Sequence, residues 1–204
     1  MADEQTHITT TGIIILAAGA SSRLGSPKQL LTFSGTTLLQ HSIEMAQSSD
    51  AANVLVVLGA NAALIQTEIN YTTANVFVNP GWKEGMASSI RCGLQLLVKT
   101  NPQVEAAIFM VSDQPFVTAA LLNQLMDAHR TNGSKIVAAK YQDTFGTPVL
   151  FHKTFFPELL QLNGDVGAKS VVRKHLNEVT FFPFPKGHID IDTIDDYNNL
   201  SNEE

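Results

Sequence analysis

Gly12-Ile13-Ile14-Ile15-Leu16-Ala17-Ala18-Gly19-Ala20-Ser21-Ser22-Arg23-Leu24-Gly25-Ser26-Pro27-Lys28 carries a short apolar run straight into a loop of small and hydroxyl-bearing residues, with an arginine inside the loop and a lysine at its end. Ile13 to Leu16 form a continuous, largely β-branched run rather than an alternating one, the pattern of a strand buried on both faces. A loop of Gly, Ala and Ser after such a strand leaves backbone N–H groups open to approach, and grouped N–H donors form an anion-binding nest. Arg23 and Lys28 add positive charge from the side. One stretch thus predicts a buried strand, a polyphosphate-like ligand and the place where it binds.

Two familiar phosphate loops are excluded. The dinucleotide fingerprint G-x-G-x-x-G needs a second glycine two residues after Gly19, where Ser21 stands, and the P-loop needs a lysine directly after its second glycine, where Ser26 stands. The composition of the loop alone leaves a plain flexible turn open; Arg23 and Lys28 favour a ligand.

The whole chain sets the frame. Its 204 residues predict a single domain over 1–204 with a substantial core, and loose ends at 1–10 and 201–204. A net charge of −6 and a pI near 5.4 argue against nucleic acid as a partner, which calls for a basic face. A polyanionic ligand must then be held by local basic residues and a divalent cation. No apolar run is long enough for a membrane span, the polar, acidic first eleven residues resemble no targeting segment, and the one cysteine, Cys92, excludes an internal disulfide framework. These features point to a cytoplasmic protein.

Apolar runs alternate with helical patterns. Strands are predicted at 13–17, 54–58, 76–78, 107–111, 136–139, 149–151 and 179–184. Helices are predicted at 37–47, 62–69, 86–98, 119–129, 155–160, 168–176 and from 194 onward. In the third helix Ile90, Leu94, Leu97 and Val98 recur at the spacing of one buried face. The alternation predicts an α/β fold, a mainly parallel sheet with helices on both faces. Ligands bind such sheets at the carboxyl ends of the strands. The polar exceptions gather there: the 17–28 loop, Gly59-Ala60-Asn61, Asn79-Pro80-Gly81-Trp82 and Ser112-Asp113-Gln114-Pro115.

Asp113 ends an apolar strand, and Thr118 is placed to cap the following helix, which frees Asp113 to hold Mg²⁺ beside phosphate oxygens. Gly85, Ser88 and Ser89 open the third helix, whose N-terminus favours an anion or a ligand carbonyl, although the serines alternatively cap backbone groups. Thr193 and Asp196 form a capping box, which leaves Asp190 and Asp192 unexplained unless one of them shares a cation with Asp113. Gly164-Asp165-Val166-Gly167-Ala168-Lys169 is either a second anion loop or a turn. Residues 141–151, with Gly146-Thr147-Pro148, form either a loop beneath a second substrate or a plain connection.

These segments together resemble the molybdenum cofactor cytidylyltransferases and related molybdopterin nucleotidyltransferases. The resemblance lies in LAAGASSRLGSPKQLL at 16–31, VVLGAN at 56–61, NPGWKEGMASSIRCGL at 79–94, SDQP at 112–115, GTPVLF at 146–151, GDVGAK at 164–169 and DIDTIDDY at 190–197. It implies a Rossmann-like three-layer α/β/α sandwich with a mostly parallel mixed sheet. It also implies Mg²⁺-dependent transfer of CMP from CTP to the phosphate of molybdopterin, with release of pyrophosphate, and a molybdenum hydroxylase as client.

By the same resemblance Leu16, Ala17, Ala18, Gly19, Ser22, Arg23, Gly25, Lys28, Gly59, Gly85, Ser88, Ser89 and Asp113 hold the nucleotide, and Arg23, Lys28 and Asp113 carry catalysis. Gln114, Gly146, Pro148, Gly164, Asp165, Gly167 and Lys169 hold the acceptor. Asp113 and Asp192 bind the metal, with Asp190 the alternative to Asp192. Ala17-Ala18-Gly19 is similar to the cytidine-using branch. Thr147 departs from the Gly-His-Pro of many members, which bears on the acceptor. Other readings are a sugar-phosphate nucleotidyltransferase, a non-catalytic molybdopterin-binding accessory protein, or an oxidoreductase; the missing dinucleotide fingerprint weighs against the last.

Overall fold

The computed structural model describes residues 10–69 and 72–200. The ends expected to be loose fall, apart from Thr10, outside the described residues. A seven-stranded sheet forms the middle layer, in the order β5 (Asn75–Val78), β4 (Asn53–Leu58), β1 (Thr11–Ala17), β6 (Ala106–Val111), β8 (Thr144–His152), β7 (Ile136–Tyr141), β9 (Val179–Pro183). β1 pairs in parallel with β4 and β6, as does β4 with β5 and β7 with β9; β8 alone runs antiparallel, to β6 and to β7. The sheet is therefore mixed and mostly parallel, as expected. A two-residue pair, β2 (Thr32–Phe33) with β3 (Thr36–Thr37), lies outside it.

β1 is the axis of the core. Ile13, Ile14 and Ile15 are all fully buried, each worth about 1.5–3 kcal/mol relative to exposure. Ile13 and Ile15 join the helices α1 (Leu38–Gln47), α2 (Ala62–Glu68) and α4 (Ala119–Asn132) on one face. Ile14 joins α3 (Met86–Thr100), α5 (Phe156–Leu159) and α6 (Lys169–Lys174) on the other. Alternate side chains point to opposite faces, so a run apolar at every position is what two helical layers require. α3 seats closely: a Cβ at Gly93 would lie 2.6 Å from the Ile14 side chain. Helix starts follow the sequence, with Thr37 and Thr118 capping α1 and α4, and Thr193 with Asp196 forming the capping box of α7 (Ile194–Asn199).

The strand expected at 149–151 forms but starts earlier, and residues 141–148 correct the sequence reading. They are not a loop: β7 turns back at Gln142 and Asp143 into the nine-residue β8, with Gly146, Thr147 and Pro148 inside the strand. Pairing steps from Ala138↔Val149 to Ala139↔Gly146, so Thr147 and Pro148 are extra residues in a bulge. A proline, lacking a ladder donor, is tolerated there, and the bulge conceals the strand's alternation in the sequence. Among the described residues no helix is long and apolar enough to cross a membrane.

Candidate active site

From β1 the chain crosses to β4 and β5 on one side, then returns to β6 on the other, so the crevice at the carboxyl ends of β1 and β6 is a topological switch point. Two cavities open there. The first, about 300 Å³, is bordered by Leu16 to Ala20, Gln29, Trp82, Met86, Ser89 and Asp165. The second, about 560 Å³, is bordered by Arg23, Gln114, Tyr141, Lys169, His188, Asp190 and Asp192. Lys28, Met86, Val111 and Asp113 belong to both, and so form a shared wall.

The loop after β1 folds onto itself. Gln29 donates to the carbonyls of Ala17 and Gly19 at 2.9 and 3.1 Å, and the Ala60 N–H donates to the Ala18 carbonyl at 3.1 Å. Ser21 Oγ accepts from the Lys28 N–H at 3.0 Å, which fixes the start of the 3-10 turn Lys28–Leu30 and aims the lysine at the shared wall. A Cβ at Gly19 would meet nothing within 4 Å, so the fold itself leaves space above this glycine.

At that wall Lys28 Nζ lies 2.5 Å from Asp113 Oδ2 and 2.8 Å from Asp192 Oδ1, and Arg23 donates to Asp192 Oδ2 at 2.7 Å. Asp113 comes from the end of β6 and Asp192 from the segment before α7, which is latched to β6 by the Ile191 N–H on the Asp113 carbonyl at 3.0 Å. Burial alone would lower the Lys28 ammonium, but the charges of Asp113 and Asp192 and their hydrogen bonds hold it above its ordinary value. The hydrogen bond from Lys28 keeps Asp192 below the usual carboxylate range against its partial burial, with Arg23 assisting. Asp190 shifts the other way, raised by burial and then by Asp113 and Asp192.

The residues present fit a hard divalent cation. Asp113 Oδ1 is buried without a hydrogen-bond partner, next to two further carboxylates. Among the described residues no set of three or more such side chains is arranged to hold a metal by itself. A hard divalent cation such as Mg²⁺ takes one or two carboxylates and completes its shell with phosphate oxygens and water.

Several expected site residues hold the walls rather than face the cavities. Ser88 is buried, donates to the carbonyls of Gly81 and Gly85 and accepts from Asn79, so it braces the 79–85 turn; Ser89, also bonded by Asn79, does border the first cavity. Gly59 is a packing residue, since its Cβ would lie 2.6 Å from Trp82 Cβ and 2.7 Å from the Ala18 carbonyl. Ser22 and Gly25 are exposed and border neither cavity. Gly25 instead supplies a positive φ of 71° to the turn before Lys28.

The α3 N-terminus is filled by the protein itself. Ala87 N–H donates to the Gly164 carbonyl at 3.2 Å and Met86 N–H to Asp165 Oδ1 at 3.4 Å, so it is not an open anion seat. Asp165 therefore borders the first cavity and not the second. Gly164 supplies the cap, and Gly167 packs on Met86, 2.8 Å from its sulfur to a built Cβ. Gly146 makes room for the Tyr141 hydroxyl and Pro148 is buried in the bulge, so neither borders the second cavity. Gln114 and Lys169 do; Gln114 is tied to Thr147 and to the Gly187 carbonyl, and Lys169 to Thr144.

Gln29 and His188 border the cavities without having been picked out as site residues, and Met86, Tyr141 and Thr144 do so from within the segments 79–94 and 141–151 without having been singled out individually. Gln29 had a signal, a polar residue between Lys28 and an apolar pair, whereas the others reach the site through tertiary contacts that leave no local pattern.

A family model described as the MobA-like NTP transferase domain matches residues 13–179. Nicotine blue oxidoreductase of Paenarthrobacter nicotinovorans is 30% identical over 170 residues, covering 79% of this chain and 80% of that protein. The bifunctional protein GlmU of Bifidobacterium animalis subsp. lactis is 29% identical over 62% of this chain, which spans only 28% of GlmU. Rv0371c of Mycobacterium tuberculosis H37Rv superposes with a TM-score of 0.82 at 31% identity, covering 94% of this chain and 97% of that one. A structure of Rv0371c in complex with manganese superposes at 0.80 with 28% identity, over 96% of this chain and 100% of that one.

Proposed function

We propose, for a chain that belongs to the MobA-like NTP transferase family, that it transfers CMP from CTP to the phosphate of molybdopterin and releases pyrophosphate. The observation that carries this reading is the shared wall, where Lys28 lies between Asp113 and Asp192 at the junction of two cavities. Two substrates seated on either side of one charged wall meet there, which is the geometry a transfer between bound molecules needs.

In the proposed reaction an acceptor phosphate oxygen forms a bond to the α-phosphorus while the bond to the bridging oxygen of the leaving pyrophosphate breaks. No protein nucleophile is required. Backbone N–H groups of the β1 loop hold the phosphates, and Lys28 and Arg23 neutralise charge as pyrophosphate departs. The six charged side chains Arg23, Lys28, Lys169, Asp113, Asp190 and Asp192 balance one another, so a triphosphate brings uncompensated charge. Asp113 with Asp192, or with Asp190 in its place, would hold Mg²⁺, which when bound supplies charge neutralisation at the phosphates. The manganese complex of Rv0371c supports divalent-metal use. Lys169 and Gln114 border the acceptor side.

The name of the Paenarthrobacter relative supports a second reading, a redox reaction. The absence of the G-x-G-x-x-G spacing from the β1 loop, where Ser21 stands two residues after Gly19, and the Lys28 cluster favour nucleotidyl transfer instead. Incubating the protein with Mg²⁺, molybdopterin, NADH or NADPH, and each of CTP, GTP, ATP and UTP tests both. Pyrophosphate release, greatest with CTP, supports transfer; oxidation of NADH or NADPH without pyrophosphate supports the redox reading.

A further inference from the structure

We infer that Gln29 is the positioning residue that sets the β1 loop in its phosphate-accepting shape, a role that rests on the nucleotide reading above. Its side chain is 1% exposed, yet its polar atoms serve the loop rather than the core. Nε2 donates to the carbonyls of Ala17 and Gly19, and Oε1 accepts from Ser21 Oγ at 3.4 Å. A trans peptide carries its carbonyl and the following N–H on opposite edges of one plane. Holding the carbonyls of Ala17 and Gly19 therefore fixes the amides of Ala18 and Ala20, and the Ala60 bond to the Ala18 carbonyl fixes that of Gly19.

Ala18, Gly19 and Ala20 border the first cavity and have no polar side chain, so their hydrogen bonds to a ligand come from the backbone. Three consecutive amides with fixed direction suit the oxygens of a polyphosphate rather than the edge of a base. A carboxamide is the group the loop needs, because two hydrogens on one nitrogen satisfy two carbonyls. An isosteric carboxylate would turn lone pairs toward both of them, and a thioether would leave both unbonded.

The test uses the full chain, with sodium tripolyphosphate, CTP and CMP as probes in the presence of Mg²⁺. Gln29→Met is expected to raise the half-saturating concentrations of tripolyphosphate and CTP about tenfold or more, and that of CMP by less than about threefold. The CTP-to-UTP preference stays unchanged, and Gln29→Glu loses more than Gln29→Met. A merely structural role would weaken all probes alike. In wild-type ¹H–¹⁵N spectra, tripolyphosphate should shift the amides of Ala18, Gly19 and Ala20; this measurement stands even where a variant fails to fold. Wild-type binding that leaves those amides unmoved, or Gln29→Met binding tripolyphosphate within about twofold of wild type, overturns the inference while leaving the nucleotide reading intact. Failure of the wild type to bind any probe overturns both.

Discussion

The Lys28 ammonium lies 2.5 Å from Asp113 Oδ2, and both side chains are about five-sixths buried at the wall where the two cavities meet. A cation in that position balances the carboxylates until a ligand brings its own charges. Lys28→Met removes it and leaves a partly buried carboxylate unpaired. Pyrophosphate release is expected to fall about 10²- to 10³-fold, with a stability loss on the order of 1–3 kcal/mol in urea unfolding. Arg23, whose side chain is 66% exposed, should matter less: Arg23→Ala weakens triphosphate binding at low salt and little at high salt, where screening has already reduced its effect.

Gly19 separates ligand from fold. Since a Cβ there meets no protein atom within 4 Å, Gly19→Ala is expected to leave stability within about 0.5 kcal/mol of wild type. The added methyl instead enters the space above the loop, so KM for the nucleotide should rise about tenfold. An unchanged KM would show that the ligand does not approach this glycine.

The capping box of α7 also tethers a site residue. Asp196 Oδ2 accepts from the Thr193 N–H at 2.7 Å and from the Asp192 N–H at 3.2 Å. Asp196→Ala should cost about 0.5–2 kcal/mol of local stability, read as faster amide exchange at 192–197. Pyrophosphate release should fall with it, because Asp192 loses the bond that sets its backbone.

On the opposite rim, His152 gives a pH prediction independent of the site. Burial, with the neighbouring His129 and then Lys153 and Lys135, holds its imidazole below the ordinary value of 6.5, against the pull of Glu105. The unfolded chain therefore takes up this proton first on acidification. The contribution is fully present above 6.5 and is lost as pH falls from there through the folded value. Melting temperatures at pH 7.5 and 5.5 should differ less for His152→Gln than for wild type.

Much of this architecture is written locally. Ile13 to Leu16 announce a strand covered on both faces, and Thr118 and Thr193 announce helix starts. The pairing of Lys28 with Asp113 and Asp192 lies 85 and 164 residues apart in sequence, so no local pattern carries it; the charge argument linked Asp113 to Asp190 or Asp192 through a shared cation, but nothing in the sequence set Lys28 between them. Glycines misled most. Gly59 and Gly146 sit in site-like motifs but make room for Trp82 and Tyr141, a requirement set by packing partners that the sequence does not name. Only the end of β8, at 149–151, was legible, because its bulge places Thr147 and Pro148 out of alternation, and the α3 N-terminus looked vacant because its cap comes from Gly164, 79 residues beyond Gly85.

The most direct measurement is pyrophosphate release from CTP with molybdopterin and Mg²⁺, comparing wild type with Asp113→Ala. The expected result is release that requires both substrates and falls to background in the variant. Undiminished turnover by Asp113→Ala, or no pyrophosphate from the wild type with any of the four triphosphates, would contradict a nucleotidyl-transfer site at the Lys28–Asp113 wall.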